Sequence, residues 1–316
     1  MSTPRSEQAP AQTGDDAAPR QLVVLSGKGG TGKTSLVAAL ATLASDKVLA
    51  DCDVDAADLH LVLDPRPVRR EVFMSGKEAR IIPERCSACG LCADQCRFDA
   101  IHPARTDGGR ATYAVDPIAC EGCGLCARVC TSGAVELLDA RRGEWFVSDT
   151  RHGLLVHAHL DIGGENSGKL VTLVRDQSAA LAQETGAGLV LVDGPPGIGC
   201  PVIASVTGAN LALAVTEPTV SGAHDLQRVA ELVKGFGLPL AVCINKADLN
   251  PEMAADIRRV CAEQGFPVVG ELRYDTQVVR AQVAGKSIIE YGDSVVADQI
   301  RDMWKIVDAM LQKEEE

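Results

Sequence analysis

Aromatic residues are scarce in this 316-residue chain: two Trp, three Tyr and five Phe. A surface that stacks successive bases needs several aromatic faces, so a single-stranded nucleic-acid platform is excluded. Positive charge is also short. Lys and Arg number 31 against 43 Asp and Glu, a formal net charge of −12. An acidic chain gains no counterion release from a phosphate backbone, so nucleic acid is not an expected partner. No apolar run is long enough to cross a bilayer, and no membrane anchor is expected. Residues 1–20 carry prolines and aspartates but no apolar segment, so they read as a disordered tail and not as a secretory leader. The expected compartment is the cytoplasm. There, the 12 cysteines point to metal ligation rather than disulfides.

What is present is organised around residues 27–34. An apolar strand, residues 22–25, runs into Gly27, Gly29, Gly30 and Gly32, and a helical pattern starts at Thr34. Strand, glycine-rich loop and helix form the setting of a phosphate-binding loop. The glycines let backbone N–H groups turn toward an anion, and the helix N-terminus adds partial positive charge. Lys33 reaches the β- and γ-phosphates, and the Thr34 hydroxyl ligates Mg2+. Thr31 and Ser35 complete the nucleotide-binding run.

Eight cysteines form two equal groups. Cys86, Cys89, Cys92 and Cys96 stand in a C-x2-C-x2-C-x3-C run, and Cys120, Cys123, Cys126 and Cys130 repeat it 34 residues later. Gly90-Leu91 matches Gly124-Leu125, and Ala93, Ala100 and Ile101 match Ala127, Ala134 and Val135. This is an internal duplication. Zinc is the alternative ligand, but zinc sites pair their cysteines in twos rather than in runs of four.

Later stretches add carboxylates at strand ends, where open α/β sheets bind ligands. Asp51, Asp53 and Asp55 follow a second apolar strand, residues 47–50. Asp193-Gly194-Pro195-Pro196-Gly197 follows the strand at 189–192, as a mobile segment that can sense a γ-phosphate. Residues 211–215 and 240–244 are two further strands. The second leads into Asn245-Lys246-Ala247-Asp248, which matches the GTPase base-reading motif in letters. A short charged stretch at 69–80 and alternating residues at 144–159 flank the cysteine region and read as strands that return it to the sheet. His157 and His159 share one face of such a strand, as a polar face or a metal pair. Residues 163–169, GGENSGK, read as a turn. Cys52, Cys243 and Cys261 read as core, and residues 271–275 as the lining of a base site.

Lys28, directly after Gly27, makes the loop KGGTGKT resemble the deviant Walker A form of the MinD/ParA/nitrogenase-iron-protein ATPases. The resemblance implies that Lys28 crosses a dimer interface to the partner's nucleotide. It implies Lys28, Lys33, Asp53 and Asp193 as the catalytic set, with Asp53 orienting water. Thr34, Asp53 and Asp193 would serve Mg2+. Asn245, followed by Lys246, would contact the base, and the P-loop form favours ATP over GTP. Cys200, seven residues past Asp193, resembles an interfacial cluster cysteine of the nitrogenase iron protein; a local thiol is the alternative.

The cysteine duplication resembles a bacterial-type ferredoxin with two 4Fe–4S clusters. In such modules the fourth cysteine of each run serves the other cluster. One set would be Cys86, Cys89, Cys92 and Cys130; the other Cys120, Cys123, Cys126 and Cys96. Arg97 and Thr131 stand where ferredoxins carry proline, and Arg97 would raise a cluster potential.

From Gln21 onward the chain resembles MinD-superfamily ATPases that contain an inserted ferredoxin domain. The implied fold is α/β: a doubly wound, mostly parallel P-loop NTPase sheet, residues 21–83 and 140–316, interrupted at 84–139 by an α+β ferredoxin module. The implied function is an ATPase that couples dimer closure to low-potential electron transfer. Its expected cofactors are ATP, Mg2+ and two 4Fe–4S clusters. Its expected partners are a second copy or a similar ATPase, and a redox protein. Two alternatives are an iron–sulfur carrier and a positioning ATPase whose clusters sense redox state. The acidic end of the chain argues against binding to anionic lipid.

Overall fold

The structure, a computed structural model, describes residues 18–161 and 167–313. Strand β1 (Arg20–Ser26) runs through the middle of a nine-stranded sheet. Its side chains alternate between two cores: Leu22 and Val24 face one, Val23 and Leu25 the other. A strand covered on both faces reads as an unbroken apolar run, which is why its sequence does not alternate.

After the glycine-rich loop come α1 (Lys33–Leu43), β2 (Lys47–Asp51) and the short α2 (Leu59–Leu63). β3 (Arg66–Ile81) leads to α3 (Leu91–Asp94), the hairpin of β4 (Ile101–Arg105) with β5 (Ala111–Val115), and α4 (Leu125–Val129). β6 (Val135–Thr150) returns antiparallel to β3, and β7 (Gly153–Leu160) turns back antiparallel to β6. Regular alternation then resumes: α5 (Ser167–Thr185), β8 (Leu189–Pro196), α6 (Cys200–Val206), β9 (Leu211–Thr216), α7 (Val220–Gly235) and β10 (Leu240–Ile244). It ends with α8 (Pro251–Gln264), β11 (Val268–Glu271), α9 (Thr276–Val283), α10 (Ile288–Tyr291) and α11 (Val295–Gln312).

The sheet order is β11-β10-β9-β1-β8-β2-β7-β6-β3. From β11 to β7 every pairing is parallel; β6 and β3 add an antiparallel edge. Helices α5, α7 and α8 pack on one face, and α1 and α11 on the other. The expected doubly wound, mostly parallel sheet is present. No helix among the described residues is long and apolar enough to cross a membrane.

The stretch at 69–80 is a strand, as expected, and the elements depart from the sequence reading in two places. The charged stretch at 69–80 belongs to a 16-residue strand. Its first seven side chains are all exposed, so no period of two marks it; the ladder to β6 makes it a strand. Arg and Glu side chains on such an outer edge also discourage pairing with another chain. β8 extends through Pro196, so the Asp193-Gly194-Pro195-Pro196 stretch is strand rather than loose switch. β6 starts at Val135 and runs across the boundary at 139, whereas β3 ends at Ile81, short of 84. The expected tail at 1–20 and turn at 163–169 fall largely outside the described residues; within them, Arg20 opens β1 and Ser167 opens α5.

Candidate functional site

The carboxyl ends of β1, β2, β8, β9 and β10 meet around the glycine-rich loop. Gly32 has φ +89°, a left-handed conformation that glycine adopts without a Cβ penalty, and Lys33 follows as the first residue of α1. The Lys33 ammonium is buried and donates to Asp193, at the end of β8. Asp53, just past β2, lies 3.6 Å from the same nitrogen. Burial disfavours the charge of Lys33, but the carboxylates of Asp193, Asp53 and Asp51 outweigh it and hold its pKa above the usual range. Burial, with the charge of Asp193, pushes the Asp53 carboxyl up to about 6 despite Lys33.

Sequence reasoning left Asp51 as a lesser alternative. The structure puts it beneath the same cluster, fully buried, with Oδ1 accepting from the Asp53 N–H at 3.2 Å. Its Oδ2 has no hydrogen-bond partner among the described residues. Burial, then the charge of Asp193, raises its pKa well above the carboxylate range. Asp55 is exposed, and its charge adds to the upward push on Asp53.

Lys28 turns toward its own subunit: Nζ donates to Ser221 Oγ at 3.1 Å and lies 3.6 Å from Glu217. Glu217 also pairs with Lys246. This double role of Glu217 was missed in the sequence, where it stands in an ordinary strand-end turn. Asn245 donates through Nδ2 to the Thr31 carbonyl at 2.7 Å, tying β10 to the loop. Ser35 accepts from Gln282 at 2.7 Å. A pocket of about 570 Å³ opens beside the loop, lined by Gly30, Gly32, Ser35, Asn245, Lys246 and a wall of residues 273–275, Val278, Val279 and Gln282. It is polar at the loop and apolar at α9, as a nucleoside site requires. Gly27, Gly29 and Thr34 complete the loop and the first turn of α1. Cys200 is the exposed first residue of α6. Cys52, Cys243 and Cys261 are buried core.

A profile of the CobQ/CobB/MinD/ParA nucleotide-binding domain matches residues 22–288. The chain belongs to that family. A protein of Methanocaldococcus jannaschii, itself uncharacterized, is 30% identical over 90% of this chain and 95% of its own length. The cell division ATPase MinD of Pyrococcus furiosus has the same fold, with a TM-score of 0.55 over 92% of this chain and 99% of that one, at 19% identity. MinD of Pyrococcus horikoshii, solved with Mg-ADP, gives 0.54 over 92% and 96%, at 18% identity. Membership of the MinD/ParA family accounts for the sheet and the nucleotide-binding loop.

The cysteine-rich unit lies beyond this core, at the far end of β3 and β6. Its duplication is structural as well as sequential. Ile82 N–H donates to the Ala134 carbonyl, and 34 residues later Asp116 N–H donates to Ala100, both at 2.7 Å. Gly90 and Gly124 take φ of +82° and +76°, and each opens a short helix. Each half therefore closes on the other. Cys86, Cys89, Cys92 and Cys130 line one pocket with Ile81, Tyr113 and Val135. Cys96, Cys120, Cys123 and Cys126 line a second with Ala79, Phe98 and Ile101.

Backbone N–H groups already point at sulfur: Ala88 to Cys86 Sγ at 3.4 Å and Ala134 to Cys130 Sγ at 3.2 Å. Among the described residues, no three His, Cys, Asp or Glu side chains converge on a point that would hold a single ion. Four thiols around an apolar-walled pocket, with N–H groups aimed at them, fit a polynuclear iron–sulfur group. His157 and His159 form no pair of ligands; both stack on Phe146, at 5.0 and 5.7 Å between ring centroids. Burial, then the neighbouring imidazoles His60 and His159, lowers the His157 pKa to about 4.

Proposed function

We propose that this protein is a dimeric, Mg2+-dependent ATPase that couples its nucleotide state to one-electron transfer through two 4Fe–4S clusters held by its eight paired-run cysteines. The observation that carries the reading is the division of those cysteines into two pockets on strands rooted in the nucleotide-binding sheet. The Mg-ADP in the Pyrococcus horikoshii MinD structure supports the choice of ATP and Mg2+.

The roles follow from position. Loop N–H groups and Lys33 bind the β- and γ-phosphates, releasing Asp193 to the water shell of Mg2+ beside Thr34. Asp53 orients the attacking water. Lys28 leaves Glu217 to reach the partner's nucleotide as the dimer closes. Asn245 and Lys246 hold the base against Tyr274 and Val278. Clusters in the two cysteine pockets supply reversible one-electron storage at low potential.

A cross-strand row supports mechanical communication. Asp193 pairs in register with Asp51, Asp51 with His157, His157 with Phe146, and Phe146 with Arg70. The row joins the nucleotide end of β8 to the strands that carry the cysteines. Anaerobic purification, iron analysis and ATPase assays with oxidised and dithionite-reduced protein test the reading. About eight iron per chain, with a rate that depends on redox state, is expected. A rate indifferent to redox state, with electron transfer indifferent to ATP, overturns it.

The MinD likeness favours a second reading, a positioning ATPase whose clusters report redox state. Localised or oscillating foci of a tagged chain in cells, lost on Lys33→Ala, support that reading over the first.

A further inference from the structure

The two cysteine pockets are not equivalent. The pocket of Cys96, Cys120, Cys123 and Cys126 meets β3 near Lys77 and Ala79; the pocket of Cys86, Cys89, Cys92 and Cys130 meets it at Ile81. Ile81 lies two residues beyond Ala79, about 7 Å further along β3 from its start at Arg66. The first pocket is therefore proximal to the ATPase and the second distal.

The proximal loop is docked into a flaw in the ladder. Pairing of β3 with β6 shifts register between Phe73 and Met74 and again between Met74 and Lys77. Gly122, with φ +61°, enters this bulge so closely that a Cβ there would overlap the Lys77 carbonyl. Arg142, on β6, is 8% exposed. Its Nη2 donates to the two carbonyls that meet here, Lys77 and Cys120, each at 3.4 Å. Its Nε has no hydrogen-bond partner among the described residues, and neither has the buried Ser75 Oγ inside the bulge. The nearby carboxylates are already engaged: Asp139 with Lys77, Glu144 with Arg70 and Arg141. Among the described residues, Arg142 forms no ion pair with a carboxylate.

A buried guanidinium without a counter-charge is costly. It is held against the backbone of Cys120, a residue of one pocket and not of the other. The equivalent cysteine of the distal pocket, Cys86, also has a guanidinium on its carbonyl, from Arg110 Nη2 at 3.2 Å, but Arg110 is exposed where Arg142 is buried, so water screens its charge.

We propose that Arg142 is a positioning residue that supplies positive charge to an iron–sulfur cluster in the proximal pocket, making that site the higher-potential one and the first to hold an added electron. The inference rests on the proposed function. Added negative charge on a cluster is stabilised by a nearby cation, and net charge and hydrogen bonding set cluster potentials. The site nearest the nucleotide thus becomes the resting place of the electron.

The test is a dithionite titration of the reconstituted full chain, followed by electron paramagnetic resonance, in wild type, Arg142→Met and Arg142→Lys. Two midpoints are expected in wild type. Arg142→Met lowers the higher midpoint by a tenfold change in the reduction equilibrium or more, about 59 mV for one electron, and leaves the lower one in place. Arg142→Lys recovers most of the loss. Contact-shifted proton signals of Cys120 and Cys123 in wild type respond at the higher midpoint, which needs no variant. First reduction at Cys86 and Cys89, or equal shifts of both clusters, overturns this inference alone. A chain that binds no clusters after reconstitution overturns it together with the proposed function.

Discussion

Lys33 and Asp193 stand 160 residues apart in the chain and are joined by a buried charge-assisted hydrogen bond, 6% and 1% exposed. The pair brings the glycine-rich loop and the end of β8 into one site. It also leaves each partner dependent on the other, because neither charge reaches water.

Removing the ammonium strands a buried carboxylate. Lys33→Ala is expected to lose about 3–5 kcal/mol of stability in urea denaturation. The double variant Lys33→Ala/Asp193→Asn recovers most of that loss, since the Asp193 carboxylate no longer stands unpaired in the interior. Nucleotide binding, measured by calorimetry, stays absent in both. Equal stability of the single and double variants would show that the pair is solvated.

In the proposed mechanism Asp53 is expected to give the activity a pH dependence. Its carboxyl is pushed up to about 6, so it is protonated below that pH and ionised above. A carboxylate that orients water must be ionised. The ATPase kcat/KM is expected to fall tenfold per pH unit below about 6 and to level off above it. Asp53→Asn flattens the profile at a low rate.

Glu217 holds Lys28 and Lys246 in the same subunit. Glu217→Gln releases both, and partly exposed pairs of this kind are worth about 0.2–1 kcal/mol. The ATP concentration at which dimers form in sedimentation velocity should fall by up to about fivefold. Lys28→Ala abolishes the dimer while leaving ADP affinity in the monomer unchanged. Loss of ADP binding would assign Lys28 to its own subunit's site.

The cysteine sets cross between the repeats. Cys130→Ser is expected to remove the cluster shared with Cys86, Cys89 and Cys92, halving the iron content to about four per chain. Cys96→Ser removes the other. Iron analysis with the electron paramagnetic resonance spectrum separates the two variants. The spectrum of Cys130→Ser should match that of Cys86→Ser, and a match with Cys120→Ser instead would contradict the crossed assignment.

The local signals were legible in the residues themselves. The glycine-rich loop is marked by positions a few residues apart, and so is each cysteine run, because loop conformation and ligand reach are local properties. The apolar strands β1, β8, β9 and β10 were legible for the same reason: burial on both faces leaves an unbroken hydrophobic run.

Relationships across the chain were decided only by the fold. β3 carries seven exposed side chains at its start, so its strand character comes from the ladder to β6 and not from any pattern of its own. The sequence favoured Asp53 and left Asp51 a lesser alternative; only parallel pairing of β2 with β8 places Asp51 in register with Asp193 in a dry interior. Arg142 carries no signal of its own in the sequence. Its burial against Cys120 depends on a bulge and a left-handed glycine brought together by tertiary packing. Sequence determined which groups are present and which lie within a few residues of one another. The closing of strands into a sheet determined which of them lose water together, and desolvation sets the charge state of a buried group.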